Sequence, residues 1–102
     1  MNYLRKFDFT EENIQTLKEV YNENIIEFIS QNEIFITETI NYLYSENIRC
    51  IYLLMRNNIK LFLETKIALK NKIDSFKLKG YNYKSIAMLL LSENNFGDIR
   101  YD

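Results

Sequence analysis

The chain has no histidine, no proline and no tryptophan, and only one cysteine and two glycines among its 102 residues. Without histidine it lacks the commonest general base and the commonest metal ligand. One cysteine permits neither an internal disulfide nor a zinc site of the usual type, and helical di-metal sites built on Glu-x-x-His pairs are excluded. The absence of proline leaves long helices unopposed. The longest apolar runs, Cys50 to Met55 and Ile86 to Leu91, have six residues each. A bilayer span takes about 20, so no transmembrane segment is expected. The amino terminus also lacks the apolar stretch of a secretory signal. These features imply an intracellular protein, and Cys50, set among Ile48, Ile51 and Tyr52, reads as a buried core thiol.

What is present is a divided charge. Residues 8 to 48 carry nine acids (Asp8, Glu11, Glu12, Glu19, Glu23, Glu27, Glu33, Glu38 and Glu46) against Lys18, a segment charge of -8. Residues 49 to 84 carry nine bases against Glu64 and Asp74, a segment charge of +7, so the overall -1 conceals two opposed halves. This pattern suits an acidic helical region folding against a basic one, or a face offered to a partner. With 47% apolar residues the chain lies well clear of disordered compositions and should form one core.

The apolar spacing predicts an all-α fold, a single small bundle of four to five helices with one long basic central helix, forming one domain over residues 1–102. Ile14, Leu17, Tyr21, Ile25 and Phe28 recur at steps of three and four, predicting a first helix over about 11–30. Thr10 is its cap, and Phe9 and Ile14 are placed for a hydrophobic staple. A second helix is expected over 33–45. Ile48, Tyr52, Met55, Ile59, Phe62, Lys66, Leu69, Ile73 and Phe76 then form a heptad-like seam with one lysine in it, read as a single helix over 47–78. Gly80 ends it, Asn82 caps a last helix over 83–92, and a turn at Asn94 to Gly97 lies within a polar tail over 93–102. No internal repeat is evident.

The candidate site residues are charged. Glu19, Glu23 and Glu27 form an i, i+4 ladder, whose like charges cost a few tenths of a kcal/mol per pair unless a basic surface faces them. Such a surface can be placed. With the seam at positions a and d, Arg49, Arg56, Lys70 and Lys77 fall at e, with Leu63 in the remaining turn, and Lys60 adds to the basic character of the helix. The edge either pairs with the first helix or binds another subunit. Nucleic-acid contact is the weaker reading, because a pI near 5.5 and the acidic half oppose phosphate attraction. Tyr83 to Leu90 resembles the first helix of a helix-turn-helix unit, but no reading helix follows. Most of the eight tyrosines and seven phenylalanines lie at core spacing, so packing outweighs base stacking as their role.

The stretch Leu53-Leu54-Met55-Arg56-Asn57-Asn58, opening a basic helix after an acidic helical region, resembles the central helix of GINS complex subunits, and most nearly the partner-of-Sld-five subunit one type. Leu17 to Asn24 is similar to that subunit's acidic opening helix, Tyr81 to Ala87 to its Asn-Tyr-Lys helix, and Gly97-Asp98-Ile99 to the segment beyond. The chain departs from the pattern at Asn58-Ile59-Lys60, where the family continues with arginines, and it stops where a linker and small β-rich domain often follow. The resemblance implies a helical domain joining paralogous subunits in a DNA replication scaffold associated with the replicative helicase. Arg56 and Asn57 are the positions it marks.

The sequence therefore leads to a non-enzymatic helical assembly subunit without cofactor or metal. Its expected partners are other protein subunits rather than a membrane. Its partner-binding candidates are Arg49, Arg56, Asn57, Lys60, Lys70, Lys77, Glu19, Glu23 and Glu27. Its location would be nuclear if it is a eukaryotic GINS-like protein and cytoplasmic otherwise. The alternative is a small phage or mobile-element protein whose acidic helix mimics nucleic acid and inhibits a host protein.

Overall fold

Thr10 begins the first α-helix as its sequence requires. Its hydroxyl accepts the Asn13 N–H and the Asn13 side chain accepts the Thr10 N–H, both at 3.0 Å, a reciprocal cap worth about 1 kcal/mol. A computed structural model describes residues 1–93. The expected turn at 94–97, the rest of the tail and the Gly97-Asp98-Ile99 resemblance lie outside the described residues. Among the described residues a 3-10 helix, Asn2–Phe7, precedes seven α-helices: α1 Glu11–Val20, α2 Glu23–Gln31, α3 Glu33–Ser45, α4 Ile51–Asn57, α5 Lys60–Leu63, α6 Lys66–Leu78 and α7 Tyr83–Ser92. The fold is all-helical, with no strand among the described residues. One hydrophobic core takes buried side chains from every helix.

The second and last helices match their expected ranges, but the other two are divided. The helix expected over 11–30 breaks at Tyr21 and Asn22, both extended, where the Asn22 side chain caps α2 by accepting the Ile25 N–H at 3.0 Å. Tyr21 leaves the helical path with its hydroxyl set between the backbone carbonyls of Met55 and Arg56, at 2.8 and 2.6 Å. The long helix expected over 47–78 is three. Asn47 takes a left-handed conformation (φ 62°) and α4 starts only at Ile51. α4 ends at Asn58, and Thr65 caps α6 by accepting the Ala68 N–H. The seam is nevertheless buried: Ile48, Met55, Ile59, Phe62, Leu69 and Ile73 lie in the core, Tyr52 and Phe76 are half-buried, and Lys66 faces solvent.

Three of the helices bury side chains at matching positions. Starting from Ile25, Ile51 and Ile86, which are 26 and 35 residues apart, α2, α4 and α7 share one pattern. Each starting isoleucine is buried, as is the residue four positions on: Ile29, Met55 and Leu90. An apolar residue stands at the third position (Phe28, Leu54, Leu89). At the seventh, Asn32 and Asn58 end their helices with similar backbones, φ -119° ψ 49° and φ -146° ψ 62°. The carbonyl of the fourth residue accepts a side-chain hydrogen bond in all three. Tyr3 donates to Ile29 at 2.7 Å, Tyr21 to Met55 at 2.8 Å, and Asn58 to Leu90 at 2.8 Å. α1 packs on α2, and α3 and α4 lie between the first and last helices, touching α2 and α1 on one side and α6 and α7 on the other.

Candidate interaction surface

The basic end of the stack is shaped by the way α6 stops. Gly80 adopts φ 91°, its N–H bonds to the Lys77 carbonyl at 2.9 Å, and the Tyr81 N–H bonds back to the Phe76 carbonyl at 3.2 Å. This is a Schellman ending, with the accompanying apolar contact made by the Phe76 and Tyr81 rings, edge to face at 6.1 Å. Two residues later the Asn82 side chain accepts the Ser85 N–H at 2.9 Å and starts α7. The connection Leu78-Lys79-Gly80-Tyr81-Asn82-Tyr83-Lys84 therefore stands out from the bundle with every residue exposed.

Leu78 is 90% exposed, Ile67 70% and Met88 67%, and Tyr81 and Tyr83 are also open to solvent. Lysines adjoin them in sequence, Lys66 beside Ile67, Lys79 beside Leu78 and Lys84 beside Tyr83. Lys66, Lys79 and Lys84 are exposed and make no ion pair among the described residues. The remaining three lysines of this end are engaged: Lys70 with Asp74 at 2.8 Å, Lys72 with Glu93 at 3.0 Å and Lys77 with Glu46 at 2.6 Å. The hydrogen-bonded Lys70 ammonium holds the Asp74 carboxyl below the usual carboxylate range, and Asp74 in turn raises Lys70.

The fold does not bring the charged candidates from the sequence together. Arg49 lies in the turn before α4, with its guanidinium 5.3 Å from the Tyr44 ring centre, a cation–π contact. Arg56 and Asn57 close α4, and Lys60 opens α5, so the expected e-position edge is divided between separate helices. Only Lys70 and Lys77 remain on one helix, α6. Glu19 ends up on α1 while Glu23 and Glu27 sit on α2, all three exposed. No ion pair among the described residues joins them to Arg49, Arg56, Lys70 or Lys77. Glu19 and Glu27 instead accept from Gln15 and Gln31 on their own helices.

Of the lysines at the α6–α7 end only Lys70 and Lys77 were singled out from sequence, and the exposed apolar groups were not. The signal was there in Ile67 and Leu78, apolar residues off the seam inside a lysine-rich segment. Cys50 is half-buried with its thiol pushed up by burial, which disfavours a nucleophilic role. Among the described residues no three acidic, cysteine or histidine side chains gather as metal ligands, and no helix is long and apolar enough to cross a membrane. No protein-family model matches the chain, and neither a curated protein nor a solved structure is similar to it.

Proposed function

We propose that this chain is a non-enzymatic helical assembly subunit that binds an acidic partner protein through its α6–α7 end. The observation that carries the reading is the joint exposure of Leu78, Ile67 and Met88 beside Lys66, Lys79 and Lys84. Apolar groups supply burial on association, and the lysine rim supplies steering and selects an acidic surface. A replication scaffold of the GINS kind is the most specific form of this proposal, with Arg56 and Asn57 at the end of α4 as its marked positions and helical paralogues as partners.

The test is affinity purification of the full chain from its native cell, compared with K66E/K79E/K84E and Arg56→Glu variants of unchanged far-UV helicity. The proposal expects a stoichiometric partner whose retention falls with salt and is lost in the triple variant. Retention indifferent to both salt and charge reversal would refute it. The GINS form further expects replication subunits in the eluate and a weaker complex for Arg56→Glu. A second reading, favoured by the exposure of Glu19, Glu23 and Glu27, makes the acidic end a nucleic-acid mimic that inhibits a host protein. It expects duplex DNA to compete with the captured partner.

A further inference from the structure

We infer that copies of this chain stack end to end, the basic α6–α7 end of one seating on the acidic α1–α2 end of the next. The inference rests on reading the α6–α7 end as a protein-binding surface, and it names a second copy as the occupant.

Three observations support it. First, α3 and α4 lie between the other helices, touching α2 and α1 on one side and α6 and α7 on the other, so α1–α2 and α6–α7 stand at opposite ends of the molecule. Second, the ends carry opposite charge. α1 and α2 hold Glu11, Glu12, Glu19, Glu23 and Glu27 against Lys18, whereas Lys66 to Ser92 holds six lysines against Asp74. All five glutamates are exposed. Glu12, Glu19, Glu23 and Glu27 make no ion pair among the described residues, while Glu11 is engaged by Arg5. Third, apolar surface is left open at the basic end: Leu78, Ile67 and Met88 are exposed and Leu89 is half-buried.

The contact joins different surfaces on the two copies, so it is heterologous and propagates into rings or open filaments rather than closing as a symmetric dimer. Attraction between the ends is electrostatic at the rim and falls as salt shortens the Debye length from about 30 Å at 0.01 M to about 3 Å at 1 M.

The experiment is sedimentation velocity on the full chain over a concentration series at low and high salt, with two charge-reversed variants. E19K/E23K/E27K makes both ends basic, and K66E/K79E/K84E makes both acidic. The wild type is expected to form concentration-dependent oligomers at low salt that dissociate at high salt. Each variant alone should associate about tenfold more weakly or not at all, and an equimolar mixture of the two should recover association. Glutamine versions of the same sites, which remove charge without reversing it, replace any variant whose circular dichroism shows it unfolded. They should weaken wild-type association without recovering it on mixing. A wild type that stays monomeric at low salt, or a mixture no more associated than its parts, overturns the inference. If the wild type is monomeric yet still captures a protein partner through Lys66, Lys79 and Lys84, end-to-end stacking fails while the proposed function stands.

Discussion

Asn58 is fully buried, and its amide donates to the Leu90 carbonyl and to the Glu93 carboxylate at 2.8 and 2.9 Å. It ends α4 and at the same time fastens α7, so one polar side chain both interrupts the expected helix and joins two layers. Truncation leaves a buried carbonyl and a carboxylate short of a donor, and such groups cost about 1–3 kcal/mol each when unpaired. Asn58→Ala should therefore lower stability by about 2 kcal/mol or more in urea titration, with loss of the Lys72–Glu93 register as a local effect. Tyrosine hydroxyls are shifted upward for a related reason. Burial raises Tyr3 and Tyr21 well above the ordinary tyrosine range, and Tyr42 is pushed up to about 12 by burial and by the carboxylates of Glu46 and Asp74. The Tyr42 hydroxyl lies near Glu46 but completes no well-aligned hydrogen bond. All three phenols stay protonated in the folded chain at pH values where the unfolded chain ionises them. Their contribution is complete below about pH 10 and is lost as pH rises through the folded values. Thermal melts between pH 9 and pH 12 should show a falling midpoint, and Tyr42→Phe should flatten that fall.

At the scale of helices, the endings were more legible than the continuity. Thr10 and Asn82 were readable as caps because their side chains act within three residues, and Gly80 as a stop because the left-handed ending favours glycine. A substitution tests the last point. Gly80→Ala meets no atom within 4 Å of the added carbon, so its penalty is the backbone conformation alone. A loss of about 1 kcal/mol is expected, measured by chemical denaturation. The breaks at Tyr21 and Asn58 were not legible, because a three-four apolar rhythm reports which side chains are buried and persists when the helix carrying them is cut and redirected. Asn22, Asn58 and Thr65 could have been read as caps. What decided it was the tertiary carbonyls of Met55, Arg56 and Leu90, which lie about thirty residues away in sequence. The candidate site was legible as charge and illegible as surface. Lysine content pointed to a basic region, yet which lysines are already paired with Asp74, Glu93 or Glu46 depends on how α3, α6 and α7 meet.

Taken whole, the molecule is polar from end to end, with its acidic pair at one extreme and its basic pair at the other. Within it, the hydrogen bonds donated by Tyr3, Tyr21 and Asn58 act as rungs, each gripping a helix 26 to 34 residues away. A ladder fastened one rung at a time can loosen one rung at a time. α6 and α7 each make one extensive helix contact, with α3 and with α4 respectively, whereas α4 packs against α1, α5 and α7, so amide protons should exchange earlier in α6 and α7 than in α4.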